Sequence, residues 1–90
     1  MYAILISSEA DKVLRKWKKS NPNLWKKYQK LYHELADHPR NGIGHPEPLI
    51  GGNGIRWSRH ISAHDRIIYD IYDEVVTVLV IQIEGHYKDK

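Results

Sequence analysis

The chain contains no cysteine. That absence excludes disulfide stapling, zinc ribbons and thiol nucleophiles together, and it suits a reducing cytoplasm. Long apolar runs are missing too. Residues 2–6 form the one N-terminal apolar stretch, far too short for a signal peptide or a membrane span, so no membrane association is expected. There are no internal repeats and no low-complexity segments. Ninety residues make one domain, taken as 1–90, which excludes a multidomain enzyme. A chain of this size buries only roughly 60–65% of its unfolded surface, so a deep, enclosed cofactor cavity is excluded as well. What is present has the balance of a soluble globular domain, with 41% hydrophobic and 28% charged residues.

Net charge is +3, and its distribution says more than its total. Eight of the fourteen Lys and Arg residues lie within 12–30: Lys12, Arg15, Lys16, Lys18, Lys19, Lys26, Lys27 and Lys30. The second half is near neutral or acidic. Segregated positive charge suits a polyanion such as nucleic acid, and it equally suits a solvated helical face that keeps a small protein in solution. Charge alone leaves both open.

Residues 2–6 read as a short strand. Ser7 or Ser8 then offers an N-cap, with Glu9 and Asp11 in the first turn. Ala10, Val13, Leu14 and Trp17 recur at helical spacing to about Ser20. Asn21-Pro22 is a second start signal, a capping residue followed by proline at the first helical position. Leu24, Trp25, Tyr28, Leu31, Tyr32 and Leu35 make one apolar stripe, so a second helix reaches about Asp37. Pro39 ends it. A Gly- and Pro-rich loop follows to about Asn53, and the period then changes to two over 55–61, 66–72 and 75–84. Asp73-Glu74 is short enough for a tight hairpin turn. The expected class is α+β, in the order β-α-α-β-β-β, with a helical hairpin packed on one face of a mainly antiparallel sheet.

Strand parity sorts side chains between the two faces. Ile55, Trp57 and Ile61 share one face, and Arg56, Ser58 and His60 the other. Ile67, Tyr69 and Ile71 are expected in the core, with Arg66, Ile68 and Asp70 opposite. In the last strand Leu79, Ile81 and Ile83 are expected in the core, with Gln82, Glu84 and His86 opposite. The uncovered face then collects Ser58, His60, Arg66 and His86 as a polar, cationic concavity. Arg59 falls on the apolar side and is expected near a strand end, with its head reaching water.

Several chemistries fail on spacing. His33 and His38 are five residues apart, so on a helix they point about 140° from each other and cannot grip one ion. No metal site is expected. The glycines at 42, 44, 51, 52 and 54 lack both the nucleotide-binding fingerprint and a following helix, and no serine sits in a nucleophile elbow. No cofactor is expected. What remains is Glu47, held between Pro46 and Pro48. Flanking prolines restrict the backbone and present the carboxylate on a stiff segment. An ordinary exposed loop glutamate has the same description. With cations on an open sheet face and His86-Tyr87 at the last strand's end, however, Glu47 could belong to a metal-free phosphodiester site. RNA supplies the 2′-OH nucleophile, and a base, cations and an acid complete the chemistry.

Four pieces in order, Gly42-Ile-Gly44-His-Pro46-Glu47-Pro48-Leu49, Trp57-Ser58-Arg59, Arg66-Ile-Ile-Tyr69 and His86-Tyr87, resemble the YoeB/Txe family of RelE-like toxins across essentially the whole chain. The resemblance implies a toxin of a type II toxin–antitoxin pair, an endoribonuclease that enters the 70S ribosomal A site and cuts translated mRNA. It further implies a cytoplasmic homodimer neutralised by a YefM/Phd-like antitoxin, with operator DNA bound only through that complex. Carried over by position, Glu47 matches the general base, Arg66 a transition-state arginine, His86 the general acid and Tyr87 its substrate-contacting neighbour. His60 stands where the family usually has a second arginine, and Ile50 where it has a lysine. Arg56, Arg59, Lys16, Lys18, Lys19, Lys26 and Lys27 are the expected RNA and ribosome contacts. Beside this stand two alternatives: a catalytically weakened ribosome-binding or corepressor homologue, and an ordinary basic RNA-binding domain.

Overall fold

A computed structural model describes residues 1–51 and 53–85. The elements run in the order β1 (Ala3–Ile6), α1 (Ser8–Ser20), α2 (Pro22–Asp37), β2 (Glu47–Pro48), β3 (Arg56–His60), β4 (Arg66–Tyr72) and β5 (Thr77–Glu84). The expected α+β order is thus present, with β2 as an additional two-residue strand inside the glycine- and proline-rich loop. One five-stranded sheet has the order β1-β5-β4-β3-β2; β1 lies parallel to β5, and every other pair is antiparallel.

Capping sets the helix limits. Ser7 accepts a hydrogen bond from the Ala10 amide at 3.1 Å and so starts α1. Asn21 serves both helices: its amide donates to the Trp17 carbonyl at 2.8 Å, closing α1, and its side chain accepts from the Leu24 amide at 3.4 Å, opening α2. Both helices cover the same sheet face. Ala10, Leu14 and Trp17 of α1, with Tyr28, Leu31 and Leu35 of α2, pack on Ile67, Tyr69, Ile71, Val78, Val80 and Ile83. Burying each large apolar side chain contributes roughly 1.5–3 kcal/mol relative to exposure.

Two expectations fail in the last hairpin. Val78 and Val80 are in the core, whereas Leu79 and Ile81 are only partly buried. The cause is a bulge: Ile68 pairs with Gln82 but Tyr69 pairs with Val80, which leaves Ile81 as the extra residue. A bulge reverses parity, so Val78 and Val80 before it and Ile83 after it all face the helices. Nor is Asp73-Glu74 a two-residue turn. Asp73–Val75 forms a 3₁₀ turn closed by Val76 at φ 48°, a left-handed conformation that a β-branched residue adopts only under strain.

The open sheet face as candidate active site

Antiparallel register arranges the uncovered face in rows. Glu47, Ser58, Ile68 and Gln82 form one row from β2 to β5. His60, Arg66 and Glu84 form the row on one side, and Arg56, Asp70 and Leu79 the row on the other. Residues two apart on one strand share a face, so Arg56 and His60 are the diagonal neighbours of Glu47 on β3. Glu47 is exposed at the sheet edge, where Pro48 can sit because an edge strand needs no N–H donor on its outer side. The Leu49 amide donates to the Arg56 carbonyl at 2.8 Å and holds the short strand in place.

Each arginine on this face already has a carboxylate partner. Arg66 Nε donates to Glu84 at 3.0 Å, with both side chains partly exposed. Arg56 donates from Nε and Nη2 to the two oxygens of Asp70, at 2.9 and 3.1 Å. Asp70 therefore holds the Arg56 guanidinium more firmly protonated than an ordinary arginine. Sequence parity placed Asp70 and Glu84 on this face but gave them no role; hairpin register, which sets them opposite the arginines, was the signal that could have found them. His60 is exposed at the end of β3. It borders two clefts: one of 310 Å³ that it shares with Arg66 and Glu84, and one of 340 Å³ that reaches Lys27 and Lys30 on α2.

The sequence-predicted residues divide accordingly. Glu47, Arg56, His60 and Arg66 share the open face, although Ser58 beside them is buried rather than part of an accessible concavity. Lys16, Lys18, Lys19, Lys26 and Lys27 are exposed on the helical layer, on the other side of the sheet. His86 and Tyr87 lie outside the described residues. Arg59 requires correction as an RNA contact: it is 0% exposed and donates to the carbonyls of His38 and Asn41. A side chain sealed beneath a loop cannot meet a phosphate. Among the described residues, no group of three or more His, Asp or Glu side chains is placed to hold a metal ion. Nor is any described helix long and apolar enough to cross a membrane.

A helical pair on one face of this mostly antiparallel sheet is the fold of the RelE- and YoeB-type toxins. A YoeB/ParE toxin from Agrobacterium tumefaciens superposes with a TM-score of 0.84 at 27% identity, covering 94% of this chain and 99% of that one. The archaeal RelE–RelB complex from Pyrococcus horikoshii shares the fold at 13% identity, with a TM-score of 0.77 over 97% of each chain. Sequence narrows the class. Residues 7–87 match the model of the YoeB-like toxin of bacterial type II toxin–antitoxin systems. Toxin YoeB of Streptomyces coelicolor is 32% identical over 79% of this chain and 82% of its own length. Toxin YoeB of Synechocystis is 33% identical over 80% and 81%. The chain belongs to the YoeB-like toxins of bacterial toxin–antitoxin systems.

Proposed function

We propose that this toxin is a ribosome-dependent endoribonuclease that cuts translated mRNA in the A site without a metal or cofactor. The observation that carries the proposal is the register that sets Glu47 opposite Ser58, with Arg56 and His60 as diagonal neighbours and Arg66 across from His60. Glu47 takes the proton of the 2′-OH, whose oxygen then attacks the adjacent phosphorus. Arg66, with His60, stabilises the charge of the phosphorane. The bond to the 5′ oxygen breaks, His86 protonates that oxygen, and a 2′,3′-cyclic phosphate and a 5′-OH end result. Tyr87 contacts the substrate beside His86. The helical lysines hold RNA and ribosome, and Arg56, already paired with Asp70, adds a hydrogen-bonding edge beside them rather than a free charge. Membership of a toxin–antitoxin family supports a YefM/Phd-like antitoxin as partner, a homodimeric toxin, operator DNA reached through the complex, and action in the cytoplasm.

One observation favours a catalytically weakened corepressor instead. Both arginines of the face are already paired with carboxylates, and His60 and Ile50 stand where the resembled family carries cations. Primer extension on translated and untranslated mRNA separates the two. Cuts that appear only with ribosomes, and that fall about 10²–10⁴-fold in Glu47→Ala without loss of thermal stability, are the expected result. Ribosome binding with no cuts at all would leave the corepressor.

A further inference from the structure

Arg59 is wholly buried on the helix-facing side of β3, and the chemistry on the open face makes no use of it. Its Nη2 donates to two loop carbonyls, His38 at 2.7 Å and Asn41 at 2.8 Å. Its Nη1 lies 3.7 Å from the Glu34 carboxylate, which also accepts from the Ile43 amide at 3.2 Å. The guanidinium carbon is 6.0 Å from the centre of the Tyr69 ring, and the Tyr69 hydroxyl donates to the Pro39 carbonyl at 2.8 Å. Every one of these contacts falls on residues 38–43 or on the side chains that hold them. That segment runs directly into Gly44, Pro46 and Glu47.

Two glycines allow so close an approach. Gly42 and Gly44 have φ of 108° and 85°. A Cβ on Gly42 would strike the Glu34 carboxylate, and one on Gly44 would strike the His60 carbonyl and come within 2.6 Å of Arg59 Cγ. The Gly44 carbonyl also accepts from the His60 amide at 2.7 Å, so the loop is bound to the same strand that pairs with Glu47.

Packing does not account for an arginine here. A buried guanidinium is costly, and among the described residues Arg59 Nε and Nη1 have no hydrogen-bond partner. An apolar side chain of similar length would fill the space without that cost. What arginine adds is a planar terminal amino group, Nη2, whose two fixed N–H bonds can hold two carbonyls at once. We infer that Arg59 is a positioning residue: it fixes the 38–44 segment and thereby sets the register in which Glu47 is presented on the open face. This inference rests on the proposed role of Glu47 as the base.

Two variants test it. Arg59→Met keeps the length and removes the donors, and Arg59→Lys keeps the charge with one donor centre. Amide hydrogen exchange reads Ile43, Leu49 and His60, whose N–H groups bond Glu34, Arg56 and Gly44, against the amides of β4 and β5. Arg59→Met is expected to accelerate exchange at the three loop-linked amides by about tenfold and leave β4 and β5 unchanged, with Arg59→Lys between. In single-turnover cleavage on programmed ribosomes, Arg59→Met should lower the rate about 10²-fold at unchanged half-saturating toxin concentration. Added to Glu47→Ala, it should cost nothing further. Equal acceleration throughout β4 and β5 makes Arg59 a mere core residue and overturns the inference; so does a rate loss that persists in the Glu47→Ala background. If the parent makes no ribosome-dependent cuts, the base role of Glu47 falls instead, and loop-selective exchange still decides whether Arg59 anchors the segment. Should Arg59→Met fail to fold, Arg59→Lys carries the same two measurements.

Discussion

Arg56 and Asp70 face each other across β3 and β4 and join through two parallel hydrogen bonds, with the carboxylate side chain only 5% exposed and the guanidinium 43% exposed. A guanidinium held in this way presents one free edge to solvent and little uncompensated charge. Binding to a polyanion releases counterions in proportion to the phosphates neutralised. Arg56→Gln should therefore change the salt slope of ribosome binding by well under about one unit, whereas Asp70→Asn should steepen it. A full-unit loss in Arg56→Gln would show that Arg56 leaves Asp70 to bind phosphate.

Among the described residues, the helical lysines have no such carboxylate partners to share their charge. Lys18 lies 5.8 Å from the centre of the Trp25 ring, and Lys27 lines the cleft that reaches His60. Changing Lys16, Lys18, Lys19, Lys26 and Lys27 to glutamine together should weaken 70S binding and flatten its salt dependence. Each lysine that meets a phosphate contributes about 0.7–0.9 to the slope. Restoring Lys27 alone should recover the largest share of cleavage, because it lines the cleft that reaches the His60 end of the sheet. A slope unchanged by all five substitutions would assign these residues to solvation.

Asp73 ties three segments together. It accepts from the Tyr2 hydroxyl and from Arg40 Nη2, both at 2.6 Å, so the first strand, the loop after α2 and the β4–β5 turn meet on one carboxylate. The Arg40 hydrogen bond first, then that of Tyr2, holds the Asp73 carboxyl below the ordinary aspartate range. A carboxyl with a depressed folded pKa stabilises the fold above its unfolded pKa, and that contribution disappears as pH falls through the folded value. Denaturant unfolding of the parent and of Asp73→Asn should therefore differ by a constant amount from pH 5 to pH 7, and the two should converge as acid protonates Asp73, below about pH 4. Curves that stay parallel into acid would remove this linkage.

The helices were legible because their signals are local. Ser7 and Asn21-Pro22 mark the starts, and each apolar stripe lies within one short window of sequence. The open face was legible as far as alternation held, which placed Glu47's neighbours Arg56, His60 and Arg66 together. It failed in β5, where Val78, Leu79, Val80 and Ile81 are all apolar, so neither parity stands out and the bulge at Ile81 leaves no trace in the pattern. It failed again at Val76, since no propensity places valine at φ 48°. Arg59 was misplaced for a different reason. Its burial depends on carbonyls of His38 and Asn41 that lie far back in the chain, and local sequence has no record of where those groups converge.

His60 carries the sharpest consequence of this chain's own sequence. It is exposed at the end of β3, across from Arg66, whose Nε is engaged by Glu84, and it opens onto the cleft that all three line. An imidazole is a partial cation near neutrality, whereas a guanidinium is a permanent one and can hold a phosphate through two donors. If His60 supplies charge to the phosphorane, the permanent guanidinium of His60→Arg should supply more and grip the phosphate through two donors. The variant should therefore cleave faster than the parent in single-turnover assays on programmed ribosomes. Equal single-turnover rates for the two proteins would leave His60 as a solvated strand residue and the electrostatic work to Arg66.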